Sequence, residues 1–123
     1  MAPSSGRILM VEDDPEQAML FAMLLKSAGY NTTNVVNAEA ALAALTQSSY
    51  DLLLADRDLP VMKGEALITF VKAEYPALKT LLFSNHANVD KIAAACGADA
   101  WFRKSDNIFN LRQIIADLRK QPV

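Results

Sequence analysis

The sequence predicts a doubly wound α/β domain, with five short strands in one parallel sheet and five helices covering its faces. Three observations predict it. Short aliphatic runs recur along the chain, helix-period apolar patterns fall between them, and each helical pattern is bracketed by start and stop residues. Strand–helix alternation of this kind requires crossover connections, and those give parallel strands with helices on both faces. At 123 residues and 52% hydrophobic composition, the chain fits one domain with an ordinary buried core.

The elements follow in order. Arg7-Ile-Leu-Met-Val11 is apolar enough for a strand buried on both faces. Asp14 and Pro15 are an N-cap and a first helical residue; the helix they start carries Met19, Leu20, Met23 and Leu24 and stops at Gly29. Tyr30 to Val36, rich in Thr and Val, reads as a strand. Asn37 caps an alanine-rich helix with Ala38, Ala41, Leu42 and Leu45 on one side. Leu52 to Ala55 is a second buried strand, and the stretch from Asp56 to Gly64 is a loop punctuated by Pro60 and Gly64. Glu65 to Glu74 is helical through Leu67, Ile68 and Val71, and Pro76 ends it. Leu78 to Phe83 is a strand. Val89 to Cys96 is a helix stopped by Gly97, Ala100 to Arg103 a short strand, and Ile108, Leu111, Ile114, Ile115 and Leu118 the apolar face of a last helix. For five strands so arranged, the flavodoxin-like order 2-1-3-4-5 is expected. Residues 1–6 and 121–123 read as loose tails around a domain spanning residues 7–120.

Composition narrows the function. The chain has 12 basic and 14 acidic residues, a net charge of -2, and no dense basic run, so neither nucleic acid nor a membrane surface is an expected partner. The N-terminal residues lack an apolar signal core, and no stretch is long and apolar enough to span a bilayer. Cys96 is the only cysteine, so no internal disulfide forms; a reducing, cytoplasmic setting is expected, with Cys96 a small buried apolar residue in an alanine-rich helix.

In sheets of this type, ligands bind beyond the carboxyl ends of the strands. There the first strand runs into Glu12-Asp13-Asp14, the third into Asp56-Arg57-Asp58, the fourth into Ser84-Asn85-His86 and the fifth into Arg103-Lys104-Ser105. Alone, each segment has an ordinary explanation: a capped acidic loop, a surface lysine, a loop hydroxyl. Together they place acids, a hydroxyl and a lysine on one edge. Clustered carboxylates repel, and a hard divalent cation relieves them; magnesium takes few protein carboxylates and shares its shell with phosphate oxygens. Phosphoryl transfer needs little beyond such positioning and charge neutralisation, and aspartate is a known covalent acceptor.

These segments resemble the receiver domains of bacterial response regulators. The resemblance runs from Arg7 to about Lys120 and rests on four stretches. They are Ile8-Leu-Met-Val-Glu-Asp-Asp-Pro15, Asp51-Leu-Leu-Leu-Ala-Asp-Arg-Asp-Leu-Pro60 with Gly64, Ser84, and Gly97-Ala-Asp-Ala-Trp-Phe-Arg-Lys104. It implies a signalling switch that catalyses only its own phosphorylation and dephosphorylation, with Asp56 as phospho-acceptor. Asp13 and Asp56 are implied magnesium ligands, with the backbone carbonyl of Asp58 as another and Glu12 acting through water. Ser84 and Lys104 are implied to bond the phosphoryl group, and Trp101 to occupy the position of an aromatic switch residue. A histidine kinase or histidine phosphotransfer protein is the implied donor. Output is expected through protein contacts on the face of the fourth helix, fifth strand and fifth helix.

The sequence departs from the family pattern in places. Asn85 stands where the family usually has a small residue, and a larger side chain there is expected to crowd the route to Asp56. Ser105 replaces a proline that usually follows a cis bond, a geometry costing about 3 kcal/mol before any other residue. Asp58 adds negative charge beside the site, and His86 stands where this family can influence attacking water. Two other functions remain open: a phosphate-independent docking module, which Asn85 and Ser105 permit, and a phosphatase of the haloacid-dehalogenase type. Asp56-Arg57-Asp58 matches the Asp-x-Asp of that phosphatase class but falls on the third strand instead of the first.

Overall fold

A computed structural model of the chain describes residues 6–120; residues 1–5 and 121–123 lie outside the described residues. The elements are β1 (Arg7–Val11), α1 (Pro15–Ser27), β2 (Asn31–Val35), α2 (Ala38–Gln47), β3 (Leu52–Asp56), α3 (Gly64–Glu74), β4 (Lys79–Ser84), α4 (Val89–Cys96), β5 (Ala100–Arg103) and α5 (Phe109–Lys120). The strands form one parallel sheet in the order β2-β1-β3-β4-β5. Gly6, just before β1, is buried, and its carbonyl accepts the Asn31 N–H at 3.0 Å.

Alternation along the central strands divides the core. Leu9, Val11, Leu53, Ala55 and Leu82 pack under α2, α3 and α4. Ile8, Met10, Leu52, Leu54, Leu81 and Phe83 pack under α1 and α5 with Phe21, Phe102, Leu111 and Ile115. Side chains point alternately to the two faces of a strand, so a central strand covered on both sides is apolar along most of its length. β3 is buried at all five positions, whereas edge strand β2 is mostly exposed, which is why Thr and Asn are tolerated there.

The caps form as the sequence implies. The Asp14 side chain accepts from Glu16 N–H at 3.0 Å and the Asn37 side chain from Ala40 N–H at 2.7 Å. Gly97 ends α4 in the left-handed conformation, φ 84°. Boundaries move slightly: β2 is shorter than expected, β3 extends to Asp56, α3 begins at Gly64 and β4 runs from Lys79 to Ser84.

One face assignment changes. Of Met19, Leu20, Met23 and Leu24, only Leu24 is buried; the others are more than half exposed. The packed side of α1 is Ala18, Phe21, Leu24 and Leu25. The helix is apolar on nearly every side, so periodicity alone does not choose a face; the sheet chooses the one carrying Phe21, which meets Phe83 edge-on at 5.1 Å. No helix among the described residues is long and apolar enough to cross a membrane.

Candidate functional site

Strand register brings the site together. Val11 pairs with Ala55, so Glu12 and Asp56 leave neighbouring strands side by side. Asp56 pairs with Phe83, and Ser84, the next residue on β4, pairs with Arg103, which precedes Lys104. Glu12, Asp56 and Ser84 are almost fully buried, while Asp13 is exposed at the rim.

The side chain of Lys104 is the centre of this arrangement. Its Nζ donates to Glu12 Oε1 and to Asp56 Oδ2, each at 2.9 Å. It also donates to Gln17 Oε1 and lies 4.8 Å from the centre of the Phe83 ring. An ammonium has three N–H donors, so these acceptors satisfy it fully. Burial works against its charge, but the hydrogen bonds and negative charges of Glu12 and Asp56 outweigh that and raise its pKa above the ordinary lysine value. Burial pushes Glu12 up to about 6, against the hydrogen bonds it accepts from Lys104 and Asp14, and the charge of Asp56 adds to the rise.

Glu12, Asp13 and Asp56 each offer a carboxylate oxygen, and these oxygens lie within 4.8 Å of one another. Hard oxygen donors at the rim of a buried acidic cluster fit a small divalent cation, which would offset the repulsion that one lysine only partly cancels. The backbone around Asp56 is held closely. Its Oδ1 accepts the Asp58 N–H at 3.0 Å, and Arg57 N–H donates to Phe83 O at 3.0 Å. Gly64 N–H donates to Arg57 O at 3.0 Å, and a Cβ on Gly64 would stand 2.1 Å from Asp56 O. Only glycine permits that approach. The Asp58 carboxylate is 58% exposed and pairs with Arg57 at 3.3 Å, which moderates the extra negative charge. Arg57 also pairs with Glu65 of α3 at 3.3 Å.

A family model, the response regulator receiver domain, matches residues 8–116. The chain belongs to the response regulator receiver family. It is 31% identical over 91 residues to response regulator protein FleR of Pseudomonas aeruginosa, covering 74% of this chain and 19% of FleR. It is 29% identical over 113 residues to sensory transduction protein RegX3 of Mycobacterium tuberculosis, covering 91% of this chain and 48% of RegX3. The chain thus spans about a fifth to about half the length of these relatives. Among solved structures, response regulator TrrA of Thermotoga maritima, in complex with Mg2+-BeF, matches with TM-score 0.86 and 26% identity, covering 92% of this chain and 98% of that one. TrrA in complex with histidine kinase ThkA matches with TM-score 0.82 and 28% identity, covering 92% of this chain and 97% of that one.

Within this receiver domain, the Ser84 hydroxyl oxygen accepts the His86 N–H at 3.0 Å, and Lys104 N–H donates to the Ser84 carbonyl at 3.0 Å. His86 is exposed, and its Nδ1 accepts the Asn88 N–H at 3.0 Å, which leaves Nε2 as the protonated nitrogen of the neutral ring. Asn85 is exposed in the same loop. No cis peptide occurs among the described residues, so Lys104 and Ser105 are joined by a trans bond. Trp101 is 37% exposed, while its neighbour Phe102 is buried beside Phe21. The Arg103 guanidinium lies 5.3 Å from the Trp101 ring centre and donates to Ala87 O at 3.1 Å.

The site contains residues that the motifs do not mark. Gln17 and Phe83 both contact the ammonium of Lys104. Phe83 is legible only as the strand residue before Ser84. Gln17 carries the signal of a helix first turn, which points to a different contact.

Proposed function

We propose that this receiver domain is a phosphorylation-dependent switch whose acceptor is Asp56. The observation that carries the reading is the buried Asp56 carboxylate held by Lys104 at 2.9 Å beside Glu12 and Asp13. An oxygen of the Asp56 carboxylate attacks the phosphorus of the donor and forms an O–P bond. The P–N bond of a phosphohistidine breaks, and the imidazole leaves with the electron pair. With acetyl phosphate the P–O bond breaks and acetate leaves.

Lys104 keeps its charge throughout and takes a phosphoryl oxygen in place of Asp56 Oδ2. Ser84 releases the His86 N–H and offers its hydroxyl to a second phosphoryl oxygen. Magnesium is the cation we assign to Glu12, Asp13, Asp56 and the Asp58 carbonyl; when bound, it neutralises charge on the transferring group. Asn85, His86 and Asp58 border the approach and tune the rate and lifetime of the phosphoryl group. A histidine kinase or histidine phosphotransfer protein supplies the phosphate in the cytoplasm, and an output protein reads the α4–β5–α5 face.

The test is labelling by acetyl phosphate with magnesium, followed by intact mass. The wild-type chain is expected to gain one phosphoryl group and Asp56→Asn none. Labelling of the variant at the wild-type rate removes Asp56 as the acceptor. Absence of labelling in both would leave the docking-module reading in its place.

A further inference from the structure

The third acceptor on Lys104 is the one that neither the motifs nor the transfer step accounts for. Gln17 stands in the first turn of α1, at the third helical position after the N-cap Asp14. An acidic cap followed by glutamine at this spacing ordinarily forms a capping box, in which the glutamine side chain reaches back to the cap N–H. Here that N–H is already taken, because Asp14 N–H donates to Glu12 Oε2 at 3.1 Å. Glu12 therefore fills the role of the box residue and releases Gln17. The Gln17 amide oxygen turns to Lys104 Nζ.

We propose that Gln17 is a positioning residue for phosphoryl transfer, holding the third N–H of Lys104 so that the ammonium stays aimed while its contact to Asp56 is exchanged. The proposal rests on Asp56 being the acceptor. In the resting domain, Lys104 is pinned by Glu12, Asp56 and Gln17. On transfer, the Asp56 carboxylate becomes an acyl phosphate and gives up its hold on the ammonium. Glu12 and Gln17 are the anchors that remain, and two fixed anchors leave one N–H directed at the incoming phosphoryl oxygen. Gln17 is suited to this because its oxygen is neutral: it orients the ammonium without competing for its charge. Preorganised donors of this kind lower a barrier by avoiding rearrangement at the moment of reaction. Gln17 is half-buried, so water can partly replace its oxygen, and the loss on removal is moderate.

The experiment uses the full chain and Gln17→Met, which keeps length and bulk but lacks the strong acceptor, alone and in a Lys104→Met background. Acetyl phosphate with magnesium is the probe. At saturating donor, Gln17→Met is expected to slow labelling roughly tenfold, with the half-saturating concentrations of donor and magnesium unchanged. In the Lys104→Met background, the same substitution is expected to change nothing, because a residue acting through Lys104 has no effect without it. An equal slowing in both backgrounds, or a wild-type rate for Gln17→Met, overturns the proposal.

The second measurement is the nitrogen-detected or proton–nitrogen resonance of the Lys104 side-chain ammonium in the unphosphorylated protein. Three fixed acceptors should keep it sharp, and Gln17→Met should shift and broaden it. An unmoved resonance overturns the proposal whatever the labelling shows. If wild-type Asp56 takes no label while the resonance responds, the acceptor assignment fails and Gln17 is reduced to a structural contact, which also overturns the catalytic part of the proposal.

Discussion

At the scale of single residues, the charges beside the strand ends are met by dense sets of partners. Lys104 has an acceptor for each of its N–H groups. Asp99, just before β5, is a more exposed carboxylate with several partners of its own. Its Oδ2 accepts from Lys72 Nζ at 2.9 Å, from Thr80 N–H at 2.8 Å and from the Thr80 hydroxyl at 3.2 Å. Burial opposes its charge, but Lys72 and Thr80 outweigh that and hold its pKa below the ordinary carboxylate value. A depressed acid stabilises the fold at pH values above its unfolded pKa, and that stability is lost as pH falls through its folded pKa. Asp99→Asn is therefore expected to destabilise the domain at neutral pH by about 1 kcal/mol or less, because solvent screens this partly exposed carboxylate. In acid, below the ordinary carboxylate range, the variant and wild type should converge. Urea titrations across pH measure this; a constant difference at all pH values would mean that charge is not the cause. The acids, Ser84 and Lys104 were legible in the sequence because strand ends are predictable from short apolar runs. Gln17 was not, because the same Asp-x-x-Gln spacing serves a capping box, and only the position of Glu12 decides which contact forms.

At the scale of elements, the β3–α3 connection sets the geometry of Asp56. α3 begins at Gly64, whose missing side chain lets the helix start press against the backbone of Asp56. Gly64→Ala would put a Cβ 2.1 Å from Asp56 O, and with backbone on both sides something must move. The expected cost is about 1–3 kcal/mol, the range for overpacking a tight interior. The shift falls on the proposed acceptor, so labelling of Asp56 should also slow. An alanine variant with a wild-type urea midpoint and labelling rate would mean that the loop adjusts freely. The same connection separates what the sequence reveals from what it does not. Pro60 and Gly64 mark a loop, but nothing in the sequence says how near the next helix starts to the strand end. α1 is the parallel case: its limits are legible from Asp14, Pro15 and Gly29, yet its buried face is fixed only by Phe21 meeting Phe83. Cys96 near the end of α4 is half-buried rather than enclosed, and burial still raises its thiol pKa.

At the scale of the whole molecule, the question is how an event at Asp56 reaches the far edge of the sheet. Phe83 pairs with both Asp56 and Phe102, so the site and β5 are joined across β4, with Trp101 next along the edge strand. The β4–α4 loop is tied to the same strand, because Arg103 donates to Ala87 O and lies over the Trp101 ring. If Ser84 and its loop move toward a phosphoryl group, Ala87 moves with them and the Arg103 contact must adjust. Trp101 shares that contact, so its surroundings change with it. A ligand shifts this balance only by binding the active arrangement better than the resting one. Beryllofluoride with magnesium, a mimic of the phosphorylated aspartate, is therefore expected to change Trp101 fluorescence in the wild-type domain. Ser84→Ala removes the hydroxyl that the phosphoryl group would recruit, and should reduce the change at saturating ligand. Trp101 is the only tryptophan, so the signal has one source. An indole is large and costs more to relocate than a smaller ring, so a packed Trp101 would leave the spectrum still. An unchanged spectrum with binding confirmed by calorimetry would leave Asp56 as the acceptor and remove Trp101 as the element that reports its state to the α4–β5–α5 face.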